Sequence, residues 1–137
     1  MEGMKINSSK VRLAINDDEN RIVVINPGNN LMRQKYYDVF EQLEKKGKEM
    51  AKKAKILDPK ENVRELLKLE EETFDFIAKK TDEVFGEGTV EKITEGDKDL
   101  DLLVQFFEGI TPYFKKYNND KMSKYTKGNK TKNGVMK

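Results

Sequence analysis

The sequence predicts a mainly α-helical fold with a short N-terminal β-hairpin, a small helical bundle of two long helices, a short helix and a final aromatic helix. Three observations predict it. Apolar residues recur at spacings of three and four over residues 36–57, 63–85 and 100–117. Within residues 10–26 an alternating run is followed by a polar link and a β-branched run. Turn formers, Asn26-Pro27-Gly28-Asn29, Asp58-Pro59 and Gly86-Glu87-Gly88, stand between these stretches.

In the first stretch Val11, Leu13 and Ile15 alternate with Arg12, Ala14 and Asn16. A polar link, Asp17 to Asn20, leads into the β-branched run Ile22-Val23-Val24-Ile25, which makes a hairpin. An isolated hairpin is marginal in water, so it must pack on the helices or pair with another chain. Asn30 is the expected N-cap of the next helix. Tyr36, Phe40, Leu43, Gly47, Met50, Ala54 and Leu57 then form a heptad seam, with Glu41, Glu44, Lys45, Lys48, Lys52 and Lys53 outward. The seam suits one arm of an antiparallel helical hairpin; a dimeric coiled coil, and with it a homo-oligomer, is the alternative.

Asp58-Pro59-Lys60-Glu61 reads as a helix start, with Asp58 capping, Pro59 in the first turn and Glu61 completing a capping box. The helix extends to Phe85, with Val63, Leu67, Phe74, Ile77, Ala78, Thr81 and Phe85 on one side, and Gly86 stops it. A short helix over residues 89–95 turns Val90 and Ile93 inward. Asp97 or Asp99 starts the last helix, whose apolar set is Leu100, Leu103, Phe106, Phe107, Ile110, Phe114 and Tyr117, with Pro112 as a kink or a stop. From residue 118 the pattern ends. The chain thus divides into a folded domain, 1–117, and a basic, disordered tail, 118–137.

Of the 137 residues, 36% are hydrophobic and 38% charged, so the core is modest and built from amphipathic elements. Residues 115–137 carry eight lysines and one acid, which leaves an acidic body and a basic tail inside a net charge of +2. With no cysteine and no histidine, thiolate chemistry, the usual zinc sites and the commonest general base are removed. No stretch approaches the roughly 20 apolar residues of a membrane span, and no signal-peptide core is present. The expectations are a cytoplasmic location, no membrane partner, no cofactor and no enzymatic activity.

The chemical candidates are weak. Glu70-Glu71-Glu72 with Asp75 reads as the solvated face of a helix. Asp97, Asp99 and Asp101 alternate like a calcium loop, but Leu102 stands where such a loop turns on glycine. Ser8, Ser9 and Ser123 have no histidine to activate them. The lysine-rich tail, with Tyr117 and Tyr125, allows a nucleic-acid reading, but its lack of arginine makes that reading the lesser one.

The words Phe74-Asp75-Phe76-Ile77 and Val84-Phe85-Gly86-Glu87-Gly88-Thr89-Val90-Glu91-Lys92-Ile93, followed by Leu102-Leu103-Val104-Gln105-Phe106-Phe107, resemble small proteins of siphophages and prophages of Gram-positive bacteria. These are similar to tail-assembly chaperones. The resemblance implies binding to the tape-measure protein, the tail tube protein or both while the tail tube polymerises. It also implies a longer frameshifted product made near the end of the reading frame. The long basic tail departs from that pattern and points to a structural tail or neck component instead. Under the chaperone reading Phe106, Phe107, Ile110 and Phe114 form the partner-binding surface, because adjacent phenylalanines cannot share one helix face. The competing reading is a core helix packed on two sides. Phe107→Asp separates the two, since loss of helicity marks a core position.

Overall fold

Alternation produces the hairpin that the sequence predicts. In the computed structural model, which describes residues 1–58 and 60–132 and only the backbone at 121 and 123–132, strand β1 (Val11–Ala14) pairs antiparallel with β2 (Ile22–Ile25). Val11 faces Ile25 and Leu13 faces Val23, so these four side chains share the inner face. Val23 and Ile25 are buried outright. The link is a 3-10 turn, Ile15–Asp17, in which Asn16 and Asp17 adopt φ of 53° and 60°. Short polar side chains tolerate that left-handed backbone.

Helix α1 (Asn30–Ile56) begins one residue earlier than expected. Asn29, not Asn30, is the cap, and its side chain accepts from the Met32 N–H. Helix α2 (Val63–Phe85) begins later than the Asp58-Pro59 signal predicts. Asp58 Oδ1 accepts from Lys60 N and Asn62 Oδ1 accepts from Asp58 N, so both side chains organise the turn before the helix. No capping box forms at Glu61, and the Pro59 part of the expectation lies outside the described residues. The two helices run antiparallel: residues 46–53 of α1 lie beside 69–73 of α2, and residues 38–42 lie beside 76–80.

The joint after α2 needs glycine. Gly86 has φ 108° and ψ 151°, a region that side chains exclude. Helix α3 (Thr89–Thr94) follows. No side chain next to its start caps it; Asp82 of α2 reaches across, and its Oδ1 accepts from Val90 N at 2.9 Å. At the other end Arg21, from the hairpin, donates to the carbonyls of Lys92 (2.7 Å) and Ile93 (3.1 Å) and pairs with Glu95 (3.2 Å).

Helix α4 (Leu100–Lys132) starts at Asp99, whose Oδ1 accepts from Asp101 N. It continues through Pro112, and it does not end at Tyr117. The helix runs past the expected boundary at 117/118 as far as Lys132; residues 133–137 lie outside the described residues. Extending an existing helix needs no new nucleus, and each added residue gains a backbone bond. Contacts with α1 hold the transition: the Arg33 guanidinium lies 5.2 Å from the Tyr117 ring centre, and Asn118 Nδ2 donates to the Tyr37 hydroxyl at 2.8 Å.

One core joins these elements. Val23 and Ile25 meet Tyr36 and Val39, Phe74, Ile77 and Val84, Ile93, and Leu103, Phe106, Phe107, Ile110 and Phe114. Thr73, Thr81 and Thr94 are buried as well, and each hydroxyl donates to the carbonyl four residues back. That local bond lets a polar side chain sit in the core without an unpaired group.

Two outcomes test this packing. Phe107→Ala is expected to cost about 3–5 kcal/mol in urea unfolding, and Phe107→Asp to abolish the cooperative transition. Asp82→Ala is expected to cost about 0.5–2 kcal/mol, with faster amide exchange at Val90 in α3 as its local mark.

Candidate functional site

The four residues expected to bind a partner are interior. Phe107 and Phe114 are fully buried, and Phe106 and Ile110 nearly so. The reason is geometric. Successive residues on a helix point about 100° apart, and α4 has neighbours on both sides of that angle. On one side Phe114 stacks on Tyr36 with ring centroids 4.1 Å apart, and Phe107 stacks on the same ring at 6.0 Å. On the other side Phe106 meets Phe85 edge-on at 5.5 Å. The core reading of this helix therefore replaces the docking reading.

The Tyr36 hydroxyl reaches Thr111 Oγ1, and Thr111 Oγ1 lies within bonding distance of the Phe107 carbonyl. Burial raises the Tyr36 pKa above its ordinary 10.0, partly offset by the bond to Thr111, with Tyr37 adding to the rise.

The polar candidates resolve into structural roles. Lys98 bridges Asp75 (3.1 Å) and Glu71 (3.7 Å), and the hydrogen bond to Asp75 raises its pKa. Asp99 caps α4. Among the described residues no group of three or more acidic side chains is placed to hold a metal ion. Ser9 clamps the turn after β2: its hydroxyl donates to Asn26 Oδ1 (2.6 Å) and accepts from Gly28 N (2.7 Å). A Cβ at Gly28 would fall 2.3 Å from that oxygen, so any other residue there displaces the Ser9 hydroxyl from the clamp. The Ser123 side chain lies outside the described residues.

What the surface offers is apolar. From residue 40 to residue 72 no described residue is buried, although the heptad pattern continues through Met50, Ala54 and Leu57. The α1–α2 hairpin therefore extends beyond the core. Its far end carries Ile56 at 82%, Val63 at 47% and Leu67 at 58% exposure. Val63 and Leu67, four apart on α2, lie on one face. The sequence reading placed both inward; α4 does not extend cover to them. A second feature is an open groove of about 360 Å³ between the end of β1 and α4, lined by Leu13 to Asn16, Ile93, Leu102, Gln105, Phe106, Gly109, Ile110 and Tyr113. Only Gly109, a glycine inside a helix, hinted at it in the sequence.

The fold is a small helical bundle that leaves two apolar surfaces uncovered. The chain belongs to a family of unknown function, DUF6673, whose model matches residues 32–137, that is, the helical part without the β-hairpin. No curated protein and no solved structure matches the chain. Among the described residues no helix is long and apolar enough to cross a membrane.

The raised Tyr36 pKa has a signed consequence. Below pH 10.0 the phenol is neutral in both folded and unfolded chains, and its packing contributes fully. As pH rises from there through the folded-state pKa, the unfolded state loses its proton first and stability falls. Tyr36→Phe is expected to flatten this part of the alkaline melting profile, while lowering stability at neutral pH by about 1 kcal/mol through the lost bond to Thr111.

Proposed function

We propose that this protein is a binding factor of phage tail assembly that holds the tape-measure protein, or the tail tube protein, through the far end of the α1–α2 hairpin. The observation that carries the reading is the exposure of Ile56, Val63 and Leu67 on a helical pair that contributes no core residue there. A tape measure is a long helical chain whose apolar faces are open until the tube encloses it. A helix laid along the end of another helical pair completes a seam that this chain leaves unfinished. The direction toward tail assembly comes from the resemblance of residues 74–110 to the small phage proteins described above.

A second reading has its own support. The seven lysines between Lys115 and Lys132 stand on continuous helix, so positive charge is concentrated on one element. Nucleic-acid binding through that element would weaken steeply with salt.

Co-expression with the tape-measure and tail tube proteins of the same genome, followed by affinity capture and sizing, tests the proposal. The expected result is co-purification of the tape measure with several copies of this chain. Ile56→Glu with Leu67→Glu is expected to abolish capture while changing folding stability by less than about 1 kcal/mol, because both positions are exposed. Clean separation from both partners at low salt overturns the reading. Stable retention in purified particles favours a structural tail or neck role.

A further inference from the structure

The hydrogen bond from Ile15 N to Arg21 O fixes which way each residue of β1 turns its backbone. Since Ile15 bonds across the hairpin, Leu13 and Val11 do so too, and Arg12 and Ala14 direct their N–H and C=O groups to the outer edge. That edge borders the groove against α4. An unpaired edge beside an apolar groove accepts an added strand.

The chain itself carries a segment of the matching pattern. In Gly3-Met4-Lys5-Ile6-Asn7, apolar and polar or small residues alternate. Met4 and Ile6 are 86% and 84% exposed. If Gly3, Lys5 and Asn7 pair with the edge, they share the outer, solvated face with Arg12 and Ala14. Met4 and Ile6 then fall on the inner face, against Leu13, Phe106 and Tyr113 of the groove. The arm does not reach the groove of its own chain. Its backbone runs without a turn or bend through residue 10, and Ser9 is held to Asn26 and Gly28 just where a reversal would be needed. A second copy has the same edge free.

We propose that residues 3–7 of one copy add as a third strand to the outer edge of β1 in a second copy, and that reciprocal exchange closes a two-fold dimer. This stands apart from the tape-measure reading, since Ile56 and Leu67 take no part in it.

Gly109 provides a clean test. It lines the groove, and a Cβ built on it meets nothing within 4 Å, so a side chain introduced there starts into open space at the groove. Sedimentation equilibrium of the full chain is expected to show a monomer–dimer equilibrium. Gly109→Trp, and separately Met4→Asp with Ile6→Asp, are each expected to weaken it at least about tenfold, as loss of one or two buried apolar side chains predicts. Melting temperatures measured at concentrations where every variant is monomeric are expected to be no lower than that of the parent chain, since Gly109→Trp replaces a mid-helix glycine. Mixing the two variants is expected to give a one-to-one complex tighter than either variant's own dimer and weaker than the parent dimer, because one of the two arm-in-groove contacts is intact in the mixed pair. A monomer at every concentration overturns the proposal, as does a dimer indifferent to both changes. Protected amides at residues 3–7 in a monomer also overturn it, because the arm would then occupy its own groove.

Discussion

Tyr36 lies face to face with Phe114, and Phe107 lies against the same ring. These three side chains connect the first long helix to the last, across an interval that contains all of α2 and α3. An aromatic stack contributes both buried area and a preferred geometry. Here it fixes the rotation of α4 about its own axis. Once Phe107 and Phe114 face Tyr36, Phe106 is turned toward Phe85, and Ile110 toward the hairpin side. Thr111 bonds the one polar atom on the Tyr36 ring. The same rotation leaves Gly109 and Tyr113 at the surface beside β1.

Much of the fold was legible because periodicity reports local structure directly. The hairpin, the helical spans from Tyr36 onward and the glycine joint at residue 86 follow from spacing and turn chemistry alone. Burial was less legible. Adjacent Phe106 and Phe107 announce two apolar faces but not whether the neighbour on each side is this chain or another. Leu67 and Phe74 belong to the same pattern on α2, yet one is exposed and the other buried. The difference lies in how far α3 and α4 extend beside them, which no local pattern encodes. The cap on α3 was hidden for the same reason: Asp82 belongs to the preceding helix and acts across the joint. The groove joins residues 13–16 to residues 93–113, so it exists only once the chain is folded.

The apolar residues thus divide into two populations. One is enclosed in the core, and it includes every residue first suspected of binding a partner. Others are left on the outside, most of them at the end of the α1–α2 hairpin and along the N-terminal arm, with Leu31, Tyr113 and Met122 elsewhere. Ile56, Val63 and Leu67 lie on one helical hairpin, and Met4 and Ile6 on the arm. Their separation in sequence and in space is what allows the proposed partner contact and the proposed self-contact to be distinct.

The attachment of the β-hairpin has a consequence for the order of folding. Arg21 reaches the end of α3 across 71 and 72 residues of chain, and the Lys92 ammonium returns to the Ile22 carbonyl across 70. By contrast, the α1–α2 pair is joined by a short connection between Ile56 and Val63. Closing a long loop costs more entropy than closing a short one, and such contacts form late. On this ground the helical pair is expected to assemble first, and the hairpin to dock once α3 is in place. Until it does, Ile93 and the side of α4 bearing Phe106 and Ile110 stand open to water. Apolar surface left open in that interval is the kind through which partly folded chains stick to one another, so faster docking is expected to raise the yield of native protein.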